Sequence, residues 1–142
     1  MGYSLDIIIS KSEFGKIGFK EKTLFWNDKE YSLLPREFFI DNNIIFIEIK
    51  QGIVYDIMLN DTKINDPIVL TLYRKYNSVE KAIDNNSITT LFENIYTLDA
   101  VEIYLWEDDE TINNKIKLTE SLDINRKMKE AITNCQNIII YR

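Results

Sequence analysis

Thr97–Trp106, TLDAVEIYLW, alternates along its length with a period of two, and the next four residues, Glu107, Asp108, Asp109 and Glu110, are all acids. Such alternation marks a strand laid on a core. It sets Ala100, Glu102, Tyr104 and Trp106 on one side and Val101, Ile103 and Leu105 on the other. The acid run then reads as the loop at the strand's end, and loop tips on rigid strands commonly carry binding groups.

Upstream, NNIIFIEIKQGIVYDIMLND, Asn42–Asp61, repeats the same alternation in two arms that meet at Gln51-Gly52, where glycine can supply the positive φ of a tight hairpin. TLFW and YSLL flank the turn-forming NDKE and predict a second, shorter hairpin. A first strand is expected over Tyr3–Ile9 and a last one over Asn137–Tyr141. Between them, Asp66 followed by Pro67 has the form of an N-cap and first helical residue, so PIVLTLYRKY is expected to be a helix. Ser78 and Ser87 would cap two short helices. A final helix over Leu122–Asn134 would bury Ile124, Met128, Ala131 and Ile132, spaced at 3.6 residues per turn. The expected class is α+β, a mainly antiparallel sheet with flanking helices, in a single domain spanning 1–142.

Chemistry is narrowed chiefly by what the composition lacks. The 142 residues include no histidine, which excludes Ser-His-Asp and Cys-His hydrolases and the usual histidine-containing zinc sites. The four glycines form no phosphate-binding loop and no dinucleotide fingerprint. Cys135 is the only cysteine, so no intramolecular disulfide can form; beside NIIIYR it is expected to be a small buried hydrophobe. MGYSLDIIIS, with Asp6 inside its apolar run, does not read as a signal peptide, and no apolar run is long enough to cross a bilayer. A cytoplasmic protein without membrane contact is expected.

Charge is unevenly distributed. Residues 1–75 hold 11 acids and 10 bases, residues 76–123 hold 11 acids against Lys81, Lys115 and Lys117, and residues 124–142 hold Glu130 against four bases, for a net charge of −6. A segment that acidic repels phosphate backbones and attracts basic partners, so direct binding of nucleic acid is not expected. As a metal site the acid run fails the EF-hand pattern, since its neighbours point apart and no glycine bends the loop. A carboxylate pair of glycosidase type would need Glu102 to meet Glu48 or Asp56 across the sheet. No cofactor is expected.

Size, acidity, an Ile/Asn/Lys-rich composition, a sheet with flanking helices and the lack of a catalytic constellation together resemble the small immunity proteins of bacterial toxin systems, such as those of contact-dependent growth inhibition. The resemblance is one of type and rests on no motif. It implies a non-enzymatic inhibitor that binds a cognate toxin domain, often a basic nuclease. Glu107, Asp108, Asp109 and Glu110 are the expected contact surface, with Asp99, Glu102 and the aromatic Trp106 nearby. Two other readings share part of the evidence from charge: a phage or mobile-element mimic of nucleic acid, whose acids would spread over a continuous face, and a carboxylate-dependent metal enzyme.

Overall fold

The computed structural model describes residues 2–17, 22–26, 29–33, 47–51, 64–72, 78–84, 89–107 and 112–142. Its centre is Ser4–Ser10, β1, whose SLDIIIS is buried at every position but the two ends. A strand covered on both faces reads as a nearly continuous apolar run, as this one does. β1 is flanked by Pro67–Leu72 (β5) and Val101–Trp106 (β6), both antiparallel to it. Ile47–Gln51 (β4) extends the sheet beyond β5, and Ile138–Tyr141 (β8) and Asn114–Lys117 (β7) extend it beyond β6. Among the described residues this sheet has six strands in the order β4-β5-β1-β6-β8-β7, and Lys22–Trp26 (β2) and Lys29–Leu33 (β3) pair separately as a hairpin. The class is α+β, as expected.

Register fixes which side chains share a face. Ile7 lies opposite Leu70 on one side and Ile103 on the other, and Ile103 opposite Ile140. These residues, with Leu5, Ile9 and Val101, meet the helices Ser78–Asp84 (α1), Thr89–Ile95 (α2) and Ile124–Thr133 (α3) through Val79, Ile83, Phe92, Ile95, Ile124, Met128 and Ala131. The second face carries Ile8, Val69, Ala100, Tyr104 and Ile139, with Trp106 and Tyr141 partly buried against them. The two faces of β6 are those its alternation predicts. Both short helices, the hairpin, β1, β8 and the α3 stripe also match expectation, with Ile132 only partly buried. For the long hairpin, β4 is its first arm; its turn at Gly52 and its second arm lie outside the described residues.

Pro67–Leu72 is not a helix. Ile68, Val69 and Thr71 are β-branched, which suits a pleated surface, and the first residue of a strand tolerates the N–H that proline lacks. Asp66 has φ 50°, left-handed rather than the extended conformation of an N-cap, and its carbonyl accepts the Lys11 N–H at 3.0 Å. A run apolar on both faces has no period that separates a buried strand from a helix. β7 was not expected at all. Its NKIK is largely exposed, and lysines on an edge strand discourage pairing with other chains. It runs parallel to β8, which requires a crossover connection, and α3 provides one.

Asp123 caps α3, its carboxylate accepting the Arg126 N–H at 3.0 Å. At the other end Gln136 N–H donates to Ala131 O at 2.9 Å and Cys135 N–H to Ile132 O at 3.2 Å, the paired bonds of a Schellman motif. Cys135 occupies the left-handed position of that motif, at φ 53°, and is exposed rather than buried. Its place is set by the helix ending, not by the apolar run that follows. Because a side chain there costs about 1 kcal/mol relative to glycine, Cys135→Gly is expected to raise stability by up to that amount in urea unfolding.

Candidate functional site

The acid run grows from the end of β6, and three sets of hydrogen bonds fix that end. Trp106 Nε1–H donates to Asp6 Oδ2 at 2.7 Å, and the Thr71 hydroxyl donates to Asp6 Oδ1 at 2.6 Å. One carboxylate in the central strand thus ties β5 to β6. The Trp106 ring packs tilted against Tyr104, with centroids 6.3 Å apart. Beyond it, Glu107 N–H donates to Asn137 Oδ1 at 2.9 Å. On the loop's far side Asn113 N–H donates to Asn137 O at 2.9 Å, while Asn137 N–H donates to Asn113 Oδ1 at 2.7 Å. Asn137, 5% exposed, therefore holds both roots of the acid loop.

The positions expected to form the binding surface divide. Glu107 is exposed at the loop's root and Trp106 is partly exposed beside it. Asp108, Asp109 and Glu110 lie outside the described residues. Glu102 is 2% exposed on the second face of the sheet, where its Oε1 accepts the Tyr104 hydroxyl at 2.8 Å, so it contributes no contact surface. Asp99 is exposed but precedes β6, and a six-residue strand separates it from the acid run by on the order of 20 Å. Its N–H donates to Glu13 Oε2 at 2.8 Å, at the opposite end of the strand. Glu102 and Asp99 are thus not brought together with the acids. Glu48 stands on β4, with β5 and β1 between it and Glu102 on β6, so the sheet does not set these two side by side, and Asp56 lies outside the described residues.

The mooring residues Asp6, Thr71, Asn113 and Asn137 were not singled out from sequence. Asp6 had a signal: a carboxylate within LDIII, on a strand apolar at every neighbour, requires hydrogen-bond donors. Asp6→Ala would leave the Trp106 N–H and Thr71 hydroxyl without their acceptor, and a loss of about 2–3 kcal/mol in urea denaturation is expected.

Electrostatics at this end are one-sided. Burial, then the negative charges of Glu107, Cys135 and Glu80, push the Tyr3 phenol up to about 12; its hydroxyl donates to Gln136 O at 3.0 Å. Burial raises the Glu80 carboxyl above the usual range, and Glu107 adds to the rise against the Tyr3 N–H that Glu80 Oε1 accepts at 2.7 Å. At the other end of β6 burial of Glu13 also acts upward, but the N–H groups of Asp99 and Ala100 and the ammonium of Lys16 outweigh it and hold the carboxyl below the usual range. The two carboxyls have opposite consequences for stability. Glu13, with its folded pKa lowered, contributes stability above the unfolded carboxyl pKa that is lost as pH falls through its folded value; Glu80, with its folded pKa raised, contributes stability at low pH that is lost as pH rises through its folded value. Accordingly, the cost of Glu13→Ala at neutral pH should shrink on acidification, and carbon-13 titration should find Glu80 protonating before, and Glu13 after, an ordinary glutamate as pH is lowered.

Among the described residues no group of three or more Cys, Asp or Glu side chains is arranged to hold a metal ion, and no helix is long and apolar enough to cross a membrane. Compared with family models, with curated proteins and with solved structures, the chain matches none.

Proposed function

We propose that this chain is a non-catalytic immunity protein that acts in the cytoplasm, binding a cognate toxin domain of basic charge, such as a nuclease, and neutralising it through the acid loop that follows β6. The observation that carries this reading is the mooring of that loop: Asn137 grips both its roots, and Asp6 fixes Trp106 beside it. Held in place, Glu107 and Trp106 lose less freedom on binding, so more of their attraction for a partner would appear as affinity. Opposite charge also speeds encounter, and an acidic surface can occupy a groove built for phosphate. Asp6 and Glu102, both on the second sheet face, are engaged in hydrogen bonds with Trp106, Thr71 and Tyr104, which favours structural roles for them.

Nucleic-acid mimicry is less well supported, because a mimic requires continuous negative charge. Exposed Lys115 and Lys117 lie along β7 and exposed Arg126 sits on α3. The test is to capture the partner from the native host on the purified chain, identify it by mass spectrometry, and assay its toxic activity with added chain. Stoichiometric inhibition is expected. Turnover of a substrate by the purified chain, or an uninhibited partner, would overturn the reading.

A further inference from the structure

A second surface feature lies at the other end of β6. A cleft of about 390 Å³ opens between α2 and the loop leading into α3, with a floor of Phe92, Tyr96, Leu122 and Ile124. That volume falls at the small end of ligand clefts, which run from about 300 to 1,000 Å³. Its walls are tied together by one hydroxyl: Tyr96 donates to Leu122 O and accepts the Ile124 N–H at 3.2 Å. The cleft is therefore preformed. Its rim carries Glu93, Glu120 and Asp123, all exposed, and among the described residues no Lys or Arg lines it. Asp123 is committed to the N-terminus of α3, which offsets its charge, so the attraction for a cation comes from Glu93 and Glu120. The nearby bases Arg126 and Lys127 are drawn along α3 to Glu130, at 3.1 and 3.5 Å, and Arg142 Nη1 donates to the carbonyls of Tyr96 and Leu98.

We propose that this cleft is a docking site for a partner-protein segment that places a long basic side chain beside an apolar one. Apolar walls with a charged rim suit the amphipathic stem and cationic head of arginine or lysine, and the partly exposed ring of Tyr96 adds attraction for a cation lying over it. The site stands independently of the acid loop, since Tyr96 precedes β6 and the acid run follows it.

The full chain, labelled with nitrogen-15, would be titrated with acetylated and amidated Ala-Leu-Arg-Leu-Ala and with its norleucine and glutamate counterparts. The arginine peptide is expected to shift the amides of Glu93, Ser121 and Asn125 saturably, with a Kd on the order of 1 mM. The norleucine peptide should bind about tenfold more weakly and the glutamate peptide not at all. The double variant Glu93→Lys, Glu120→Lys, whose exposed positions leave the fold intact, should abolish the shifts while an unchanged thermal midpoint verifies folding. Equal binding of the norleucine peptide, or no shift at millimolar arginine peptide, would overturn the proposal. So would concentration-dependent shifts of the same amides without peptide, because the occupant would then be a second copy of the chain.

Discussion

Replacing Glu107, Asp108, Asp109 and Glu110 together by serine is expected to weaken binding of the toxin partner by about a hundredfold or more while leaving the fold intact. Individually, exposed ion pairs contribute little, about 0–1 kcal/mol, so single substitutions should have small effects. Four acids consecutive in sequence concentrate negative charge, and their loss would remove both the steering of encounter and the paired contacts. Stability should not fall with them. Glu107 raises the Tyr3 phenol and the Glu80 carboxyl, so the change relieves like-charge repulsion there. The variant therefore carries its own internal check: the Glu80 pKa, followed by carbon-13 titration, should move down toward that of an ordinary glutamate. If affinity is lost but Glu80 stays where it is, the loop lies differently at its root than Glu107 requires.

The second large effect is in the core. Ile7→Ala is expected to cost about 3–5 kcal/mol in urea denaturation, from lost burial together with the cavity left behind. Ile7 is 0% exposed and stands midway along β1, with Leu70 and Ile103 opposite it on the two neighbouring strands. Packing on both flanks leaves little room for the site to collapse. Since small domains are stable by only about 5–15 kcal/mol, this one substitution would consume a large share of the total. Ile132→Ala, on the partly buried edge of the α3 stripe, should cost much less, and the contrast separates a true central strand from general hydrophobic loss.

Sequence reasoning succeeded where one face of an element is apolar and the other is not. β6 and α3 have that asymmetry, and both were assigned to the correct faces. It failed at β5, where Ile68, Val69 and Leu70 are buried on both sides of the sheet and the Asp66-Pro67 pair imitates a helix start. It failed at β7 for the opposite reason, since an exposed edge strand has almost no apolar pattern to read. In the candidate site, the acid run and Trp106 are legible because they are contiguous in sequence. That Glu102 is buried is not legible, because alternation shows that two residues share a face but not whether that face is covered. Asp99 was grouped with the acids by closeness in sequence, although an extended strand carries neighbours far apart. Asn113 and Asn137 escaped notice because their roles depend on β7 lying beside β8, a pairing of distant segments that no local signal announces.

If the negative charge that follows β6 does the binding, affinity must depend on ionic strength. Calorimetric titration of the wild-type chain into the captured toxin domain should give a Kd that rises steeply from low to physiological ionic strength, while the serine variant gives a weak and nearly flat response. A wild-type Kd that is indifferent to salt, or a variant that retains wild-type affinity, would contradict it.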